Sequence, residues 1–164
     1  MVRGWVPVVV GVVVLVDVLS KNVVQRFATP WFLTAGVSLQ PVATTRGLFG
    51  ALPLGITVGV SIVVLLALLF ALRRALSRHE HLGISLIIGG GIANLAERIA
   101  AGHVTDILLI EGLSVWNVAD LAILSGLLVV LGSWFVRRTV GQHRTPIKVK
   151  MLDKSDKRPY PESE

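Results

Sequence analysis

Residues 54 to 72 read Leu54-Gly-Ile-Thr-Val-Gly-Val-Ser-Ile-Val-Val-Leu-Leu-Ala-Leu-Leu-Phe-Ala-Leu72, a run with no charge and only two hydroxyls, Thr57 and Ser61. A helix needs about 20 apolar residues, and about 17 at the least, to cross the hydrocarbon of a bilayer. Valine favours strands in water, but in lipid a continuous apolar run of this length satisfies its backbone within itself by becoming helical. Three further runs of this kind lie at about 5 to 22, 82 to 101 and 117 to 136. The fold class that follows is an all-α membrane protein of four transmembrane helices.

Composition agrees. The chain has 164 residues, of which 53% are hydrophobic, and its mean hydropathy of +0.74 exceeds what a soluble domain of this size needs for a core. The absence of cysteine excludes disulfides, thiolate metal sites and a thiol nucleophile. Four scattered histidines give no metal-ligand spacing. The net charge is +6, and half of the 16 basic residues follow position 136. That distribution suits a tail beside anionic membrane lipids and not a nucleic-acid face. The first run resembles a signal-peptide core, but Asp17 interrupts it and no clean small-residue cleavage site follows, so it reads as a retained helix.

Arg73, Arg74 and Arg78 crowd the connection after the second run, and Arg137 and Arg138 end the fourth. By the positive-inside rule both termini are cytoplasmic. The first connection, 23 to 53, faces outward; it carries only Arg26 and Arg46, and Pro30, Pro41 and Pro53 break up any regular helix. The alternation from Gly36 to Phe49 predicts short strands, while Arg26 to Leu33, with Trp31 and Phe32, predicts an interfacial aromatic anchor. Together these form a small extracytoplasmic loop or β platform. Residues 1–138 make one membrane domain, and 139–164, basic and poor in large apolar groups, are expected to be a disordered cytoplasmic tail.

In this topology Asp17, Lys21, Asn94, Glu97, Arg98, Asn117 and Asp120 all sit at the outward ends of their helices, and Asp106 lies in the loop between the last two. Ionisable groups at membrane depth cost at least about 2.5 to 3.5 kcal/mol each on insertion scales, so a set of them at one level points to a functional site. Taken singly, each also reads as a helix end reaching the interface. Asp17 and Lys21, spaced i and i+4, suit an ion pair on one face. Asn94 and Arg98, with the same spacing, present an amide and a fixed positive charge. Gly89, Gly90 and Gly91 just before them let helices approach closely. Asn117 and Asp120 look to one side of the fourth helix, and the fourteen-residue connection lets Asp106 fold back to meet Asp120. Two carboxylates in a water-poor site hold one proton between them and activate water, which favours a membrane-embedded aspartyl hydrolase. Ser20 and Lys21 point about 100° apart on a helix and do not form a nucleophile with its base. His103, alone at the interface, reads as a surface residue. A carboxylate-based transporter requires polar groups near the midplane, where the second helix offers only Thr57 and Ser61.

Four pieces stand in order: Asp17-Val-Leu-Ser-Lys21, Gly89-Gly-Gly-Ile-Ala-Asn94-Leu-Ala-Glu97-Arg98, Gly102-His-Val-Thr-Asp106 and Trp116-Asn117-Val-Ala-Asp120. With this topology the chain resembles the lipoprotein signal peptidase family, the type II signal peptidases of bacteria, across its membrane body. The resemblance implies a four-helix inner-membrane aspartic endopeptidase that cleaves the signal peptide of a lipid-modified prolipoprotein just before the diacylglyceryl-Cys, at the extracytoplasmic face. It makes Asp106 and Asp120 the catalytic pair, Asn94, Arg98 and Asn117 their supports, and Asp17 with Lys21 a brace. The implied partners are prolipoprotein signal peptides and membrane lipids, with no nucleic acid, metal or cofactor. Departures exist. Where the family has an Asn-x-Gly-x-Ala-Phe-like loop, this chain reads Thr44-Thr45-Arg46-Gly47-Leu48-Phe49-Gly50, so a threonine hydroxyl is expected to replace part of the amide's hydrogen bonding to substrate. Glu97, Ala93, Ile107 and Trp116 replace an Asp, a Gly and two other aromatics of the family pattern. A catalytically silent relative that binds or assembles with membrane proteins is the alternative reading.

Overall fold

The computed structural model describes residues 4–27, 29–44, 53–74, 77–112 and 114–142. Helices α1 (Val6–Val24), α2 (Leu54–Arg74), α3 (Arg78–Ala101) and α4 (Val118–Gln142) are each long and apolar enough to cross a membrane. Strands β1 (Trp31–Thr34) and β2 (Val37–Thr44) follow α1, and β3 (Val104–Ile110) and β4 (Ser114–Trp116) separate α3 from α4. The apolar side chains of α1, α2 and α4 point largely outward, Val63 and Leu128 among them. Such a surface is stable only against lipid.

α3 is the axis of the bundle, and its three consecutive glycines explain how. Successive helical positions turn by about 100°, so Gly89, Gly90 and Gly91 face three directions. A Cβ on Gly89 would meet Val13 of α1 at 2.9 Å, one on Gly91 would meet Leu65 of α2 at 2.9 Å, and one on Gly90 would run into the carbonyl of Ala119 in α4. One glycine thus serves each neighbour. A second close approach pairs Gly83 of α3 with Gly126 of α4, each backbone lying where the other's Cβ would stand. These contacts set α4 flush against α3 between the two glycine crossings.

The helix ends are chemically specified. Ser77 accepts the backbone N–H of Glu80 and the Glu80 carboxylate accepts the N–H of Ser77, a capping box that starts α3 at Arg78, earlier than the 82 expected from hydropathy. Gly102, at φ 75°, closes the same helix in the left-handed conformation. At the Ser77 end, Ser133 of α4 bonds Ser77 and Arg137 pairs with Glu80. α4 runs on through 139 to 142, which the sequence reading gave to the disordered tail; the remaining tail, 143–164, lies outside the described residues.

At the opposite end sits a four-stranded antiparallel sheet in the order β1-β2-β3-β4. β2 covers part of the alternation from Gly36, whereas β1 takes up residues expected as an interfacial anchor, and β3 and β4 replace what was expected to be loop. Trp31 and Phe32 remain exposed, and Phe27 meets Trp31 edge to face at 5.5 Å. Gly36 and Gly112, both at positive φ, turn the two hairpins. β2 is an interior strand, where a proline removes a ladder hydrogen bond; Pro41 falls in the irregularity between Leu39 and Val42, the place a proline is tolerated.

Candidate active site

The register of β2 and β3 sets Val42 opposite Asp106 and Thr44 opposite Val104. Thr44 and Asp106 are therefore diagonal neighbours on one face of the sheet, within reach of each other. The Thr44 hydroxyl donates to Asp106 Oδ2 at 2.7 Å. This corrects the expectation that a loop hydroxyl is directed to substrate, at least for Thr44; Thr45 and Arg46 lie outside the described residues. Asp106, expected in a loop, is held in a strand and is buried.

Asn117 is the hub. It immediately precedes α4, and its Oδ1 accepts the backbone N–H of Asp120 at 2.8 Å while Asp120 Oδ2 accepts the N–H of Asn117 at 3.3 Å. This reciprocal pair is a capping arrangement in which the third residue of the helix is Asp120 itself. The side-chain amide of Asn117 then donates to Asp106 Oδ1 at 2.8 Å and to Asn94 Oδ1 at 3.1 Å. Asn94 in turn donates to Asp120 Oδ1 at 2.9 Å. The two carboxylates, from a strand and a helix, are bound into one network through two amides, with both side-chain N–H groups of Asn117 and one of Asn94 engaged.

Beneath it lies an ionic brace. Lys21 Nζ stands 2.7 Å from Asp17 Oδ2 and 2.7 Å from Glu97 Oε2, so the i, i+4 pair read from the sequence forms and gains a third member. Asp17 Oδ1 accepts the backbone N–H of Ala119, an otherwise unpaired donor of the first turn of α4, at 2.9 Å. Glu97 Oε1 accepts the N–H of Thr105 at 3.0 Å, next to Asp106. Asp17 and Lys21 are almost wholly buried, so the brace rests on this complete pairing. It ties α1, α3, α4 and β3 together at the level of the two aspartates.

Other candidates fall away or stand apart. Arg98 is half-buried one turn beyond Asn94, and its guanidinium makes no hydrogen bond or ion pair among the described residues. Ser20 donates to the carbonyl of Asp17, and His103 Nδ1 lies 3.0 Å from the carbonyl of Ala101. In α2, Thr57 and Ser61 spend their hydroxyls on Pro53 and Thr57 carbonyls, leaving no polar path along that helix. Two features escaped the sequence reading: the bridging role of Glu97, and the indole N–H of Trp116, a buried donor without an acceptor among the described residues, next to Asn117.

The sequence profile of the signal peptidase (SPase) II family matches residues 9–136. A lipoprotein signal peptidase of Caldicellulosiruptor bescii is 31% identical over 121 residues, covering 71% of this chain and 81% of its own. One of Mycobacterium leprae is 28% identical over 173 residues, covering 92% and 82%. A bacterial membrane enzyme solved by the in meso method at 2.3 Å resolution shares the fold, with a TM-score of 0.77 and 16% identity over 87% of this chain and 94% of that one. With the profile spanning most of its length and the polar network built at one end of a four-helix membrane bundle, this chain belongs to the signal peptidase II family.

Proposed function

We propose that Asp106 and Asp120 are the catalytic pair of a membrane aspartic endopeptidase that removes signal peptides from prolipoproteins. The observation that carries this reading is Asn117, whose side-chain amide holds one carboxylate and whose backbone N–H holds the other. Carboxylates kept together away from bulk water share one proton. The ionised one takes a proton from a water whose oxygen attacks the scissile carbonyl carbon, and the protonated one donates to the carbonyl oxygen. When the carbon–nitrogen bond breaks, the leaving amine takes a proton from the first carboxyl and the second recovers its own.

The family's substrate chemistry fits the architecture. A helical signal peptide bearing a diacylglyceryl-Cys enters sideways from lipid, and the pair sits at the end of the bundle where its bond meets the interface. The arginines at the other end, Arg73, Arg74, Arg78, Arg137 and Arg138, favour the cytoplasm, which supports a site on the extracytoplasmic side of a bacterial inner membrane. The exposed Trp31 and Phe32 of β1 suit contact with the lipid headgroup layer.

The test is conversion of a lipid-modified prolipoprotein by the purified protein in lipid. Product mass should correspond to cleavage immediately before the modified cysteine. Cleavage elsewhere, or equal turnover of the unmodified precursor, contradicts the substrate assignment; no cleavage at all favours a silent relative.

A further inference from the structure

The two aspartates are held by different donors. Asp106 accepts the Thr44 hydroxyl on Oδ2 at 2.7 Å and the Asn117 amide on Oδ1 at 2.8 Å, so each oxygen has a short partner. Asp120 accepts the Asn94 amide on Oδ1 at 2.9 Å, but on Oδ2 it has only the longer N–H of Asn117, at 3.3 Å. A donor to a carboxylate favours its ionised form, and shorter bonds do so more strongly. Asp120 Oδ2 is accordingly the oxygen least engaged as an acceptor and the one best able to carry a proton.

We propose that Thr44 is a positioning residue that holds Asp106 as the ionised member of the pair, making Asp106 the base toward water and Asp120 the acid toward the scissile carbonyl. This rests on the assignment of the two as the catalytic pair and deepens it. The Asp106 carboxylate takes one proton from water as the oxygen–carbon bond forms, and Asp120 gives its proton to the carbonyl oxygen. On collapse of the tetrahedral species Asp106 passes its proton to the departing nitrogen and Asp120 takes one back from a hydroxyl, so one water is consumed and both groups return to their starting states. Thr44 reaches Asp106 only because β2 and β3 are in this register, with Thr44 two residues diagonal to it.

At the aspartate end of the surrounding elements the other ionisable groups are Asp17 and Lys21 of α1, Glu97 and Arg98 of α3, His103 before β3 and Asp120 of α4; Arg78, His79, Glu80 and His81 of α3 and Arg137 and Arg138 of α4 lie at the opposite end, and β2 carries none. Replacing Thr44 leaves every one of them in place. Thr44→Val keeps the β-branched shape a strand prefers and removes only the hydroxyl, while Thr44→Ser keeps the hydroxyl. The dependence of kcat on pH is measured for both with a lipid-modified prolipoprotein, alongside Asp106→Asn and Asp120→Asn. Thr44→Val should move the acidic limb to higher pH by about one unit, the size expected for loss of one hydrogen bond to a charged group, and Thr44→Ser should restore it. Thr44→Ala serves the same comparison if the valine variant does not accumulate. Movement of the basic limb instead would mean that Asp106 carries the proton, and an unmoved profile with a lower rate would make Thr44 merely structural; either overturns the proposal. Activity in an aspartate variant would bring down the catalytic pair itself, whereas inert aspartate variants with an unshifted Thr44→Val profile overturn only the role of Thr44.

Discussion

The carboxylate of Asp17, near the end of α1, accepts the backbone N–H of Ala119 in the first turn of α4 at 2.9 Å. A buried anion thus stands at a helix N-terminus, where unpaired N–H groups and the helix dipole both favour it. The same carboxylate carries Lys21, and Lys21 carries Glu97, so the position of Asp120 one residue along α4 depends on charges supplied by two other helices.

Lys21→Met is expected to lower stability by about 3 to 5 kcal/mol, because it leaves Asp17 and Glu97 near each other without their shared cation. Adding Asp17→Asn to that variant should recover part of the loss by removing one uncompensated charge. Thermal unfolding in detergent measures both; a Lys21→Met protein as stable as the parent would show that the brace contributes nothing.

Glu97→Ala should reduce kcat by about tenfold, the scale of roughly 1.4 kcal/mol, with Asp106 and Asp120 unchanged in sequence. The residue anchors Thr105, and through it the strand position of Asp106. Steady-state turnover together with an unfolding curve separates this from gross instability, and a variant of full activity would mean that β3 holds its place without Glu97.

Gly90→Ala should destabilise the bundle by about 1 to 3 kcal/mol, since the new methyl meets a backbone carbonyl that cannot step aside. Gly11→Ala, with nothing within 4 Å of its Cβ, should be neutral or slightly stabilising, as alanine is the better helix former. The opposite ranking of the two in thermal unfolding would refute the close packing of α3 on α4.

A topology reporter fused after Arg138 should behave as cytoplasmic and one inserted near Gln40 as external. The reverse pattern would put the aspartates on the wrong side for a signal peptide emerging from the membrane.

The helices were legible because each is a continuous apolar run whose length is fixed by the bilayer, and Asp17 with Lys21 because their contact is local to one helix. β3 was not legible. Val104–Ile110 loses its alternation after Asp106, and its partner β2 lies far back in the chain, so no local pattern announces the pairing. Glu97 was visible as one of the polar residues at the outward helix ends, but its reach to Lys21, 76 residues earlier, is a property of packing. Arg98 shows the converse: its i, i+4 spacing to Asn94 is correct, yet spacing alone did not bring it into the hydrogen-bonded network. The exchange of an amide for Thr44 in the outward loop was seen, while its actual partner, Asp106, depends on strand register and emerged only from the fold.

The most direct measurement is the cleavage of a lipid-modified prolipoprotein by Asp106→Asn and Asp120→Asn variants matched to the parent in expression, membrane insertion and unfolding temperature. An amide keeps the shape of the carboxyl group but cannot exchange its proton, so both variants should yield no product above the uncatalysed background. Turnover comparable to the parent in either one, with folding intact, would contradict the catalytic pair.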